Sequence, residues 1–261
     1  MGDRLDQSIA ICKEAGALAL SHFEALDTLT VERKGRHDLV SQADRDVETF
    51  IREALQKAFP DDGLIGEEHD PVQSQSGFTW IIDPIDGTAN FLSGRPHWCV
   101  VLAGIENDET KIGVIYDPCH DDLYVATRNG GASLNGKPLE NPPATSLADG
   151  ATSIGHSRYS PQGSVGQLVD LITDGGGTIT ASGSGALSIA YVAAGRTIGH
   201  CEGYMNAWDC LAALLMVDEA GGKTEDLKPS DVLENGTRIV IGASGVCAQL
   251  VSIANQAFKQ P

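Results

Sequence analysis

A chain of 261 residues, 41% hydrophobic and 21% charged, has the composition of a folded globular protein, long enough for one domain or for two closely packed lobes, and not of a disordered or fibrous one. The formal charge of −18 disfavours contact with a nucleic-acid backbone, and no apolar run is long enough to cross a bilayer. The segment Met1-Gly2-Asp3-Arg4-Leu5-Asp6 lacks the basic and apolar regions of a secretory signal, so a cytoplasmic location is expected, with neither nucleic acid nor membrane as partner.

Leu5, Ile9, Cys12, Leu18 and Phe23 are spaced as the inner face of an amphipathic helix over 5–26. Val47, Phe50, Ile51 and Leu55 give a second helix, starting at about Ser41 or Asp44 and ending at Phe59, before the turn Pro60-Asp61-Asp62-Gly63. Strands are predicted at 64–67, 79–82, 98–105, 112–116 and 123–126, with hairpin signals at Asn129-Gly130-Gly131 and Asn135-Gly136. The two prolines of Asn141-Pro142-Pro143-Ala144-Thr145 mark the best boundary, giving an N-terminal α+β lobe over 1–145 and a C-terminal α/β lobe over 146–261. In the second lobe, strands at 151–155, 178–181, 197–201 and 239–241 alternate with helices at 163–173, 186–194, 208–220 and 246–258. The six cysteines form no CxxC pair and read as reduced core residues.

The chemistry concentrates in Trp80-Ile81-Ile82-Asp83-Pro84-Ile85-Asp86-Gly87-Thr88. Pro84 removes a backbone donor, so the strand is expected to stop there, and Asp86-Gly87-Thr88 is expected to open a helix whose free N–H groups favour an anion. Turn-forming and capping roles alone would explain Asp83 and Asp86, but further acids stand at the edges of other elements: Glu67 in Gly66-Glu67-Glu68 and Asp209 after Trp208. If Glu67, Asp83, Asp86 and Asp209 converge, their repulsion and desolvation call for divalent cations. Oxygen ligands without a Cys or His cluster point to magnesium. Asp44 also suits the first turn of a capped helix, and isolated His97, His120 and His200 are assigned no role.

With GEE at 66–68, DPIDGTANF at 83–91, Trp208-Asp209 and Glu219-Ala220-Gly221-Gly222 in that order, the chain resembles the inositol monophosphatase family. Weaker echoes are the segment 38–44, with Asp44, and Gly183-Ser184-Gly185-Ala186. The resemblance implies a layered α/β/α/β/α sandwich, a homodimer, and magnesium-dependent, often lithium-sensitive hydrolysis of a small phosphorylated polyol or similar monoester, inositol monophosphate first. It further implies that Glu67, Asp83 and the Ile85 carbonyl hold one metal, that Asp83, Asp86 and Asp209 hold a second, and that a third, weaker ion lies near Glu67. Asp44 and Thr88 would orient the water, with Glu67 completing the catalytic set. Gly87 and Thr88 would meet the phosphate, while Gly183, Ser184, Gly185, Glu202, Asp86 and Asp209 would line the alcohol site. The pattern departs from the family in lacking an arginine shortly before Gly183, and it leaves open which of Arg33, Lys34 and Arg36 fills an upstream basic position. Histidinol phosphate, fructose 1,6-bisphosphate and adenosine 3′,5′-bisphosphate are alternative substrates within the family, and a non-catalytic binding scaffold is the alternative of another class.

Overall fold

The computed structural model describes residues 2–26, 31–35, 38–141 and 143–259, of which 31–35 and 38–41 are described as backbone only. Helices α1 (Gly2–Glu24) and α2 (Gln42–Ala58) bury one stripe each, Ile11, Cys12, Ala15 and Ala19 on the first and Val47, Ile51 and Leu55 on the second. Between them lies a short antiparallel pair, β1 (Val31–Gly35) and β2 (Asp38–Ser41), which the polar sequence does not announce. Arg33 and Lys34 fall on β1 and Arg36 lies outside the described residues.

A seven-stranded sheet follows: β3 (Gly63–Gly66), β4 (Phe78–Asp86), β5 (Cys99–Glu106), β6 (Glu109–Asp117), β7 (Asp122–Thr127), β8 (Gly131–Leu134) and β9 (Lys137–Pro138), in that spatial order. Only β3 and β4 run parallel; the remainder is a meander whose turns include the two expected asparagine-glycine hairpins and an unexpected one at Asn107-Asp108, both at positive φ. The second sheet has the order β11 (Thr178–Thr180), β10 (Ala151–Ile154), β12 (Gly199–Met205), β13 (Thr237–Gly242), with only β12 and β13 antiparallel.

Helices α5 (Gly185–Ala193) and α6 (Ala207–Glu219) fill the space between the sheets. Their composition explains the placement: α6 buries Cys210, Leu211, Ala212, Ala213, Leu214, Leu215, Met216 and Val217 in succession, so it is apolar all round, as a helix covered on every side must be. α1 and α2 cover the outer face of the first sheet, and α4 (Ser164–Asp174) and α8 (Cys247–Ala257) cover the outer face of the second. The result is the five-layer α/β/α/β/α sandwich. A further helix, α7 (Pro229–Asn235), escaped the sequence reading because its pattern is short and polar. Among the described residues no helix is long and apolar enough to cross a membrane.

Beside the acids, two strands run well past their expected ends. β4 does not stop at Pro84 but runs to Asp86, with a register shift between Asp83, opposite Val101, and Asp86, opposite Cys99. A bulge accommodates a proline because the displaced residue owes the ladder no donor. β12 begins two residues later and ends four residues later than the predicted 197–201, so Glu202 belongs to a strand, next to a second register shift between Glu202 and Met205.

Candidate metal centre

The bulge in β4 sets the site. Asp83 Oδ1 accepts the Ile85 N–H at 3.0 Å, replacing the lost ladder bond, and the chain then turns through Gly87, whose φ of 97° favours glycine. Thr88 opens α3 (Thr88–Leu92), a single turn whose first N–H groups have no acceptor within the helix. Asn90, buried behind it, donates from Nδ2 to the carbonyls of His97 and Ser182 at 2.8 and 2.9 Å, tying this turn to the glycine-rich segment before α5.

The second half of the chain supplies the opposite wall. Asp86 accepts from the N–H groups of Gly185 at 3.1 Å and Ala186 at 2.9 Å and from the Ser184 hydroxyl, so its carboxyl sits at the start of α5. Ser184 and Gly185 line the cavity but spend these hydrogen bonds on Asp86, and Ser184 Oγ also caps α5 by accepting from Leu187. Asp209 stands in the first turn of α6, where its Oδ2 accepts from the backbone and side-chain N–H groups of Asn206 at 3.0 and 3.3 Å. The capping box Asn206-Ala207-Trp208-Asp209 thus gives Asp209 a structural duty alongside any other.

One carboxylate oxygen each from Asp83, Asp86 and Asp209 lies within 4.8 Å of the others. Burial first, then the Glu67, Asp209 and Asp86 carboxylates, hold the Asp83 carboxyl well above the usual range. Burial also raises Asp86 against the pull of its Ser184, Ala186 and Gly185 donors, and burial with the Asp86 charge pushes Asp209 up to about 7. Three acids that resist ionising together, all offering oxygen, fit a hard divalent cation, which would neutralise what the protein leaves uncompensated. Glu67 stands outside this trio, exposed on the cavity wall beyond β3, yet near enough to act on Asp83.

Thr88 Oγ1 lies 3.3 Å from Asp44 Oδ1 and 3.0 Å from the Ile85 carbonyl, so the structure brings the first turn of α2 against the start of α3. α2 also grips the segment that carries Glu67. Buried Glu48 accepts the Glu68 N–H at 2.7 Å and Arg52 Nε at 2.6 Å, while the Arg52 guanidinium reaches the carbonyls of Asp70 and His69 at 3.0 and 3.1 Å. Arg52→Met leaves Glu48 buried without its cation and is expected to cost about 3–5 kcal/mol in urea unfolding. The double variant Glu48→Leu/Arg52→Met should recover most of that loss; equal instability of single and double variants would show that packing, not charge, holds the segment.

Glu67, Asp86 and Asp209 border a cavity of about 440 Å³ that also takes in Gly183, Glu202, His156, Ser157, Arg158 and Tyr159. The 156–159 loop was missed in the sequence, although a Gly followed by a polar stretch at the carboxyl end of a parallel strand is the signal that could have found it. Tyr159 packs on Tyr204 with ring centroids 4.7 Å apart, and Arg158 lies 4.8 Å over Tyr159, forming the rim. Of the unassigned histidines, His120 pairs with buried Asp117 at 2.8 Å, His97 meets Tyr191 edge-on, and His200 lies beside Glu202.

The sequence model of the inositol monophosphatase family matches residues 3–257. An inositol-1-monophosphatase of Rhizobium meliloti is 39% identical over 238 residues, covering 90% of this chain and 87% of that protein. A protein of Xylella fastidiosa named Nus factor SuhB is 38% identical over 225 residues, covering 85% and 82%. The crystal structure of extragenic suppressor protein suhB from Bartonella henselae superposes with a TM-score of 0.90 at 32% identity, covering 96% of this chain and 98% of that one. Fold, acidic cluster and sequence agree, and the chain belongs to the inositol monophosphatase family.

Proposed function

We propose that the protein hydrolyses a small phosphorylated polyol, inositol monophosphate first, with magnesium as its cofactor. The observation that carries this reading is the convergence of Asp83, Asp86 and Asp209 beside a cavity large enough for a sugar-sized alcohol. Asp83, Glu67 and the Ile85 carbonyl would hold one ion, and Asp83, Asp86 and Asp209 a second, with Asp83 shared. Bound there, magnesium supplies charge neutralisation and a more acidic water. Thr88, its hydroxyl proton shared between Asp44 and the Ile85 carbonyl, keeps a lone pair that would orient the attacking water. The Gly87 and Thr88 N–H groups meet the phosphate, and Glu202, on the far wall, accepts a hydroxyl of the alcohol. The homodimer and the cytoplasmic location belong to the same reading.

Phosphate release from inositol 1-phosphate, histidinol phosphate, fructose 1,6-bisphosphate and adenosine 3′,5′-bisphosphate, with magnesium and with chelator, tests it. Magnesium-dependent turnover with inositol 1-phosphate preferred is expected. Thr88→Ala should lower kcat about a hundredfold with little change in melting temperature; near-normal kcat with lost stability would reduce Thr88 to a helix-start hydroxyl. The Xylella relative's name, Nus factor SuhB, favours one second reading, in which the chain acts through a macromolecular partner. Absence of turnover on all four esters would favour it.

A further inference from the structure

His200 is fully buried on β12, opposite Ser153 of the parallel neighbour β10. Its Nδ1 is 2.7 Å from Ser153 Oγ, whereas the serine's other acceptor, the Gly199 carbonyl, is 3.4 Å away. Assigning the hydroxyl proton to the shorter contact makes Nδ1 the acceptor and leaves the ring proton on Nε2. Nε2 has no hydrogen-bond partner among the described residues, and it faces Glu202 Oε2 at 3.5 Å. A buried polar nitrogen does not stand idle without cost, and a protonated one beside a carboxylate is attracted to it.

The same oxygen is confined from a second side. A Cβ at Gly155 would stand 1.9 Å from Glu202 Oε2, 2.4 Å from Cδ and 3.1 Å from Cγ. Gly155 is not at positive φ, so its missing side chain serves the close approach rather than the backbone. Glu202 lines the cavity, and with Oε2 faced by His200 and Gly155, Oε1 is the oxygen left for a ligand.

We infer that Ser153, His200 and Gly155 form a positioning unit that fixes the Glu202 carboxylate to receive a hydroxyl of the substrate's alcohol. This rests on the proposed phosphatase reading, in which Glu202 faces substrate. A carboxylate held in one rotamer before binding loses less conformational freedom when the hydroxyl arrives. Ser153 and His200 lie outside the cavity lining and act through Glu202, so the unit governs which alcohol is taken.

Two arms test it. Histidine side-chain nitrogen NMR of the full chain should show His200 as the Nε2–H tautomer, with resonances that move in Glu202→Gln. In kinetics with magnesium, His200→Phe and Gly155→Ala should each lower the ratio of kcat/KM for inositol 1-phosphate to that for p-nitrophenyl phosphate, which offers no hydroxyl, by about tenfold, mostly through KM. Glu202→Gln should do the same, and His200→Phe in a Glu202→Gln background should add nothing. An Nδ1–H tautomer, or resonances unmoved by Glu202→Gln, overturns the contact whatever the enzyme does. Equal losses on both esters overturn the positioning role. If the wild type hydrolyses neither ester, the phosphatase reading falls and the substrate-directed role falls with it, while the ring resonances still decide the His200–Glu202 contact.

Discussion

Asp83→Asn is expected to abolish magnesium-dependent turnover while making the metal-free protein more stable. Asp83 is 1% exposed and its carboxyl is raised first by burial and then by three neighbouring acids, so the folded chain gains nothing from its charge until a cation arrives. An asparagine amide carries no charge for those acids to repel, and its oxygen can still accept the Ile85 N–H, so the bulge survives. The site loses the carboxylate proposed to bridge two ions. At on the order of 4 kcal/mol of transition-state charge stabilisation, the rate should fall about a thousandfold. Differential scanning calorimetry supplies the independent readout: the wild type should gain about 2–3 kcal/mol from magnesium at a hundredfold excess over Kd, and Asp83→Asn nearly none. A variant that keeps the full magnesium shift would remove Asp83 from the centre.

Stability of the metal-free protein should fall as pH rises from about 4 to about 7. Asp209 is raised from 3.8 to about 7, and Asp83 and Asp86 are also raised. Over that window the folded chain binds more protons than the unfolded one, so the free energy of unfolding decreases with pH. The contribution is fully present below the unfolded value and lost as pH passes the folded one. Counting Asp209 alone, the change is on the order of 4 kcal/mol. Asp62 works in the opposite sense: burial pushes it up, but hydrogen bonds from Arg4, Ser76 and Trp80 hold it below its ordinary value, so its stabilisation is lost on acidification. The informative quantity is therefore a difference, the melting temperature with magnesium minus that with chelator, which Asp62 does not enter. That gap should widen from pH 4 to 7 and flatten in Asp209→Asn; a gap independent of pH would mean the acids are not compensated by the cation.

What the sequence revealed and what it hid follow the reach of each interaction. The helical stripes of α1 and α2, the apolar run of α6 and the asparagine-glycine hairpins are local patterns, and each could be read within a window of a dozen residues. The segment 83–88 was legible as chemistry for the same reason. Pro84 misled because a proline reads as a stop, whereas the neighbouring strand absorbed it as a bulge. The Glu48–Arg52 grip on 68–70 and the burial of His200 against Glu202 depend on packing between elements, and nothing in the spacing of lone charged residues distinguishes them from a solvated surface. Asp209 and Asp86 were found as acids at element edges; the cap that Asp209 makes with Asn206 is local and was overlooked, whereas the anchoring of α5 by Asp86 emerged only from the packing of distant segments.

The bonds from Ser184, Gly185 and Ala186 to Asp86 join positions 98 to 100 residues apart. They make one carboxylate the rivet of a closed frame. Swinging the two sheets apart like a clamshell would first strip three donors from a buried carboxyl group, a far costlier event than moving an exposed loop. Traffic into the cavity should therefore run past the Arg158–Tyr159 rim, and substitutions there should change entry and release while leaving the frame intact.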